Sequence, residues 1–221
     1  MKTGFNSQRP EMKPKLIIFD LIGTLVLTQM RKKPEEFFKF YQSLGINLRK
    51  EEEILQFQKI FTQAMKNSNS WENLGNEIVK LVFQKEDRER GEKLSQFLKE
   101  NLNYQLFDDA KEVFDLPHQK AILTEAPHFL FSHLNLEKYF QIFTPKETKF
   151  SKPDERAFLA VLNFFKVKPE ETLMVGDEIE RDLIPAKKLG METILIDREN
   201  KIKDAQFRKI TSLKELKNLI Q

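Results

Sequence analysis

The residues with chemistry to offer stand at recurring places in this chain. The stretch KLIIFDLIGTLV, residues 15–26, is an apolar run that ends in Asp20 and passes into a Gly23-Thr24 turn. An acid at the end of a buried strand, followed by such a turn, suits phosphoryl transfer. Two places after that acid the chain has Ile22, which brings no polar group. Three more polar groups follow apolar runs further along: Thr124 in AILTEAP, Lys152 in FSKPDERAF and Asp177 in LMVGDEIERD. Singly, each has a plain structural reading: Asp20 as a turn cap, Thr124 as a helix N-cap, Lys152 as a solvated amine, Gly176-Asp177 as a strand-to-helix turn. In this order, and each after a strand, a carboxylate, a hydroxyl, an ammonium and a second acid read together as one site.

Strands must hold these groups, and runs of strand length occur at 16–19, 121–123, 142–143, 172–175 and 193–196. They lack internal polar alternation and are separated by helical patterns, which predicts a parallel sheet covered on both faces with right-handed crossovers. The expected fold class is α/β, a doubly wound, Rossmann-like sheet. Ligands of such sheets collect outside the carboxyl ends of the strands, where all four polar groups fall.

Residues 31–105 differ in character, with four helical patterns and no convincing strand. Pro34 can start the first helix and Gly45 end it, with Phe37, Phe40, Tyr41 and Leu44 on one face. Ile54, Phe57, Phe61 and Met65 form a second stripe, Trp71, Leu74, Ile78 and Leu81 a third, Leu94, Phe97 and Leu98 a fourth that Gly91 weakens. Lysine among aromatics, as in FFKFY, could stack nucleobases, but this periodicity favours a packed helical bundle. The expected division is an α/β core of residues 1–30 and 106–221 with a helical cap of 31–105 inserted. SLKELKNLI near the end reads as a closing amphipathic helix capped by Ser212.

The 221 residues are 40% hydrophobic and 32% charged, with 37 basic residues against 34 acidic, a net +3. The charges are interspersed as on solvated helix faces, with no dense basic stripe for nucleic acid and no apolar run long enough to cross a bilayer. The start, MKTGFNSQRPEMKPK, lacks an apolar signal core, which leaves the cytoplasm as the default location. The absence of cysteine removes disulfides, thiolate catalysis and thiolate metal sites together. His128 and His133, five residues apart in HFLFSH, would face different ways on a helix, so surface or turn roles are expected for them. A monomer is the default.

The ordered set FDLIGTL, ILTE, SKP and VGDEIERD resembles the four motifs of the haloacid dehalogenase-like hydrolase superfamily, whose members are mostly magnesium-dependent phosphatases. The resemblance covers residues 15 to about 197, and the helical insertion lies where many members carry a cap. It implies that Asp20 is the nucleophile, Thr124 hydrogen-bonds the phosphoryl oxygens, Lys152 balances their charge and Asp177 holds Mg²⁺. Asp182 would support the metal shell, with Glu178 beside it. Backbone N–H groups of Leu21, Ile22 and Gly23 would cradle the phosphate of a small phosphorylated substrate. The family residue at Ile22 lends the metal its backbone carbonyl, which isoleucine retains, and acts as general acid and base, which isoleucine cannot do. Glu125 is the nearest substitute acid, set against a plainer reading in which it faces solvent and caps the next helix. Behind a phosphohydrolase stand two alternatives: a silent member that binds a phosphorylated ligand or a protein, and a 2-haloacid dehalogenase, whose halide leaves without a proton.

Overall fold

The computed structural model describes residues 13–203 and 206–220. Its first strand, β1 (Leu16–Phe19), is fully buried, and its side chains alternate between two hydrophobic layers. Leu16 and Ile18 join one layer, Ile17 and Phe19 the other. A strand covered on both faces needs no polar face, so it reads as an unbroken apolar run. After β1 come β2 (Val26–Met30), the helices α1 (Pro34–Ser43), α2 (Glu51–Asn67), α3 (Trp71–Phe83) and α4 (Arg88–Asn101), and β3 (Leu102–Leu106). The chain continues through β4 (Gln119–Leu123), β5 (Gln141–Phe143), α5 (Pro145–Thr148), α6 (Glu155–Phe165), β6 (Thr172–Gly176), α7 (Ile184–Lys188), β7 (Glu192–Ile196) and β8 (Arg208–Ile210).

Six parallel strands form one sheet in the order β5-β4-β1-β6-β7-β8. From the central β1 the chain builds outward to β4 and β5, then crosses to the other side for β6, β7 and β8. The carboxyl ends of β4, β1 and β6 therefore flank the point where strand order reverses, the usual crevice of a doubly wound sheet. Among the described residues no helix is long and apolar enough to cross a membrane.

The helices α1 to α4 bury a hydrophobic cluster of their own, including Phe37, Tyr41, Phe57, Leu74, Ile78, Leu94 and Leu98. Local signals set their starts: Ser70 accepts from the Asn73 amide and Asp87 from the Arg90 amide, both at 3.1 Å. Met65, Trp71, Leu102 and Phe129 pack against this cluster and the core alike, with Trp71 edge-on to Phe129. α4 forms despite Gly91, and two glycines let α3 and α4 approach: a Cβ on Gly91 would overlap the Asn76 side chain, and one on Gly75 the Ser95 hydroxyl and the Gly91 carbonyl.

Several elements differ from the sequence reading, β2 among them, since that reading places no strand at 26–30. Leu102–Leu106, inside the stretch expected to hold only helices, is a strand paired antiparallel with β2. It follows α4 with no intervening turn residue, so its short alternation around the buried Tyr104 is hidden by the helical pattern before it. The sheet gains β8, whose RKI has too little apolar content to announce a strand. The closing helix is a 3₁₀ segment, Leu213–Asn218, although Ser212 does cap it, accepting from the Lys214 amide at 3.3 Å. His128 and His133 sit on separate 3₁₀ turns, the first against Glu137 and the second against the Tyr104 carbonyl.

Gly75→Ala should destabilise the protein by about 1–3 kcal/mol, since the clash is with backbone that cannot rotate away. Urea denaturation with an unchanged midpoint would refute the close contact of α3 with α4.

Candidate active site

Three of the expected groups, Asp20, Thr124 and Asp177, directly follow strands, while Lys152, expected directly after a strand as well, is carried by the loop beyond α5. Asp20 follows β1, and its amide donates to the Val175 carbonyl at 2.9 Å, which locks the end of β1 to β6. Lys152, on the loop between α5 and α6, donates to Asp20 Oδ1 at 2.7 Å and to Asp182 Oδ1 at 2.6 Å, and its side chain is 1% exposed. Asp182 lies in a π-helical turn, Ile179–Leu183, between β6 and α7, and its other oxygen accepts from the Glu178 amide at 3.2 Å. One oxygen from each of Asp20, Asp177 and Asp182 can be chosen so that all three lie within 4.8 Å of one another. Asp20 Oδ2 is buried and has no hydrogen-bond partner among the described residues.

The turn after Asp20 is fitted closely to Asp177. Gly23 has a φ of 95°, and a Cβ there would overlap the Asp177 carboxylate. The Thr24 hydroxyl donates to Asp177 Oδ1 at 3.3 Å. Of the three amides expected to meet a phosphate, that of Gly23 already donates to the Val26 carbonyl at 2.8 Å, which leaves those of Leu21 and Ile22. The Leu21 side chain is in the core, and its carbonyl accepts from the Leu25 and Val26 amides. Thr124 follows β4 with its hydroxyl accepting from the Ala126 amide at 3.1 Å. With Asp20, Ile22, Glu125, Glu178 and Arg181 it lines a cavity of about 220 Å³, which Thr62, Met65 and Lys66 of α2 complete. Met65, Lys66 and Glu125 also line an adjoining cleft of about 770 Å³ that extends past His128 and Lys146.

Negative charge is in excess here. Burial lowers the Lys152 pKa, but Asp20 and Asp182 outweigh it and hold the ammonium above the usual lysine range. Burial, then the charges of Asp20 and Glu178, push Asp177 up to about 7. Burial raises Asp182 likewise, to about 7, with Lys152 opposing and Asp20 adding to the rise. Three carboxylates against one ammonium leave two negative charges, which one divalent cation would offset. The unpartnered Asp20 oxygen and the all-oxygen donor set fit a hard cation such as Mg²⁺.

Glu125 neither faces solvent nor stands free. Its side chain is 18% exposed, and Oε2 pairs with Arg181 Nη2 at 3.0 Å. Arg181 Nε also lies 3.2 Å from Glu178 Oε2, without hydrogen-bond alignment. The expectation of a solvent-facing helix cap at Glu125 is thus replaced by an ion pair across the cleft. Sequence reading missed Arg181, which stands in the quoted VGDEIERD four residues after Asp177, and the cavity-lining Thr62 and Lys66. For Arg181 the signal was present, since it follows a strand end; for the α2 residues there was none.

These raised carboxyl pKa values set a pH dependence. A group whose folded pKa exceeds its unfolded value contributes stability that is complete below the unfolded pKa, near 3.8 here, and is lost as pH rises through the folded value of about 7. In EDTA the urea midpoint should therefore rise as pH is lowered from about 8 to about 5. Saturating Mg²⁺, competing with those protons, should flatten the slope; identical slopes in both conditions would contradict the charge account.

A family model described as haloacid dehalogenase-like hydrolase matches residues 14–190. The glyceraldehyde 3-phosphate phosphatase of Methanocaldococcus jannaschii is 34% identical over 94 residues, which are 40% of this chain and 41% of that protein, so the match spans about two fifths of the relative's length. Among solved structures, a HAD phosphatase from Thermococcus onnurineus is similar at 25% identity and a TM-score of 0.61, covering 94% of this chain and 97% of that one. A 2-haloacid dehalogenase from Pseudomonas syringae pv. Tomato DC3000 shares the fold at 20% identity and a TM-score of 0.65, over 93% and 97% of the two chains. With its sheet, its strand-end residues and the greater part of its length accounted for in this way, the chain belongs to the haloacid dehalogenase-like hydrolase family.

Proposed function

We propose that the protein is a Mg²⁺-dependent phosphohydrolase of the cytoplasm that acts on a small phosphorylated metabolite through an aspartyl-phosphate on Asp20. The observation that carries this reading is the buried Lys152 ammonium held between Asp20 and Asp182, with Asp177 alongside and one Asp20 oxygen unpartnered. Asp20, Asp177, Asp182 and the Ile22 carbonyl would hold the metal. When bound, Mg²⁺ offsets the repulsion between a carboxylate and a phosphate dianion.

The chain's own groups would then act in turn. A carboxylate oxygen of Asp20 forms the new P–O bond as the bond to the leaving oxygen breaks, and water later cleaves the acyl phosphate. Lys152, the Thr124 hydroxyl and the amides of Leu21 and Ile22 orient and neutralise the phosphoryl oxygens. Residues 31–105 serve as a cap over the core of 1–30 and 106–221, contributing Thr62, Met65 and Lys66 to the cavity wall. Lys66 has no hydrogen-bond or ion-pair partner among the described residues and suits an anionic ligand.

Proton donation to the leaving group is the missing part. Ile22 has no proton to give, and the other cavity-lining carboxyls, Glu125 and Glu178, both face Arg181. Turnover should therefore depend steeply on the leaving group, favouring acyl and activated aryl phosphates over alkyl phosphates. A 2-haloacid dehalogenase would also dispense with the acid, but the excess negative charge at Asp20, Asp177 and Asp182 would repel a carboxylate substrate.

A panel of acyl, aryl and alkyl phosphates with 2-haloacids, assayed with Mg²⁺ and with EDTA, tests this reading. Mg²⁺-dependent release of phosphate is expected, abolished by Asp20→Asn. Ile22→Asp should raise alkyl phosphate turnover toward the 10²- to 10⁴-fold that general acid catalysis is worth, roughly, and affect aryl esters far less. Activity that persists in EDTA, or halide release in its place, would overturn the proposal.

A further inference from the structure

Arg198 lies two residues beyond β7, outside the cavity lining, and yet it holds the turn on which the site depends. Its Nη2 donates to the Thr24 carbonyl at 2.5 Å and its Nε to the Gly23 carbonyl at 3.3 Å. Its Nη1 donates to Asp109 Oδ2 at 3.0 Å, and the guanidinium carbon sits 3.7 Å above the Phe107 ring. The same Asp109 oxygen accepts from the Ser212 hydroxyl at 2.6 Å and the Leu213 amide at 2.9 Å. Burial alone would raise the Asp109 carboxyl; the hydrogen bonds from Arg198, Ser212 and Leu213 outweigh it and hold the group below its usual range. The Phe107 amide, in turn, donates to the Leu25 carbonyl at 3.0 Å.

These contacts lie at a crossing of the chain. Residues 23–25 immediately precede β2, by which the chain leaves the core for the helices, and residues 107–109 immediately follow β3, by which it returns. Arg198 grips both. A guanidinium can do so because its donors fan out in one plane: two meet the carbonyls, one the carboxylate, while the face stacks on Phe107. The turn it grips places the Gly23 backbone and the Thr24 hydroxyl directly on Asp177. A shift of that turn would move Asp177 relative to Asp20, and misplacement by about 1 Å can cost 10²-fold in rate.

We propose that Arg198 is a positioning residue: it fixes the Gly23-Thr24 turn against Asp177 and ties that turn to the two strands that join the helical unit to the core. Its catalytic consequence rests on the phosphohydrolase reading above; its mechanical consequence does not.

Hydrogen exchange followed by mass spectrometry, paired with steady-state kinetics on an aryl phosphate, tests both on the full chain with Arg198→Ala, Arg198→Lys and Asp109→Asn. In Arg198→Ala, amides of residues 21–26 should exchange faster while those of α3 keep their protection. The kcat should fall by about 10- to 100-fold with KM within about threefold, since the loss is of geometry in the transition state. Arg198→Lys, retaining charge and one reach toward a carbonyl, should fall between, and it decides the matter if the alanine variant does not fold. Asp109→Asn should lower stability yet keep kcat within about threefold, because the Gly23 and Thr24 contacts remain. Unchanged exchange at 21–26 in the Arg198 variants overturns the proposal. Faster exchange with an undiminished kcat overturns its catalytic part. If the unaltered protein hydrolyses no phosphate, the reading of the function fails, and the exchange measurement alone upholds or overturns the positioning.

Discussion

The buried ammonium of Lys152 is the interaction on which the rest of this structure depends. A lysine at 1% exposure is stable as a cation only if its hydrogen bonds are met by opposing charge, and Asp20 and Asp182 meet them at 2.7 and 2.6 Å. The two acids come from opposite ends of the core sequence, one after the first strand and one in the helical turn beyond β6, so the triad also pins the switch point of the sheet. The arrangement is still short of positive charge. Asp177 makes no ion pair among the described residues, and burial first, then the charge of Asp20, raises the pKa values of both Asp177 and Asp182.

In the proposed phosphohydrolase reading charge and proton supply are separate functions, and Ile22 bears only on the second. Lys152 supplies one positive charge against three acids, and the Asp20 oxygen with no hydrogen-bond partner among the described residues stands beside it. Isoleucine at position 22 keeps the backbone carbonyl and packs partly into the core, but it removes the proton. Glu125 and Glu178, the other carboxyls beside Asp20 in the cavity lining, both face Arg181. Under the proposed reading such a site selects substrates by the chemistry of the group that departs.

Much of this was legible in the sequence, for a definite reason. Strands buried on both faces appear as bare apolar runs, so the polar residue after each run marks a strand end, and strand ends of a parallel sheet converge. Asp20, Thr124 and Asp177 follow that rule, whereas Lys152 does not stand at a strand end: it lies on the loop beyond α5 and reaches Asp20 and Asp182 from there. Less legible were features without periodicity or with partners far off in the chain. Leu102–Leu106 passes directly from helix to strand, and the three residues of β8 are too few and too polar to signal. The Glu125 to Arg181 pair and the Arg198 contacts, the latter reaching across 175 positions to Gly23, are fixed by tertiary packing that no local pattern encodes.

A nucleophilic Asp20 would carry the phosphoryl group on its carboxylate between the two half-reactions, where acid quenching traps it. The protein is mixed with labelled acetyl phosphate and Mg²⁺, quenched in acid within the first turnovers, and digested for peptide mass spectrometry. A phosphoryl group is expected on Asp20, absent when Mg²⁺ is withheld and absent in Asp20→Asn. Hydrolysis of acetyl phosphate with no label on Asp20, or with the label on any other residue, would contradict that role of Asp20.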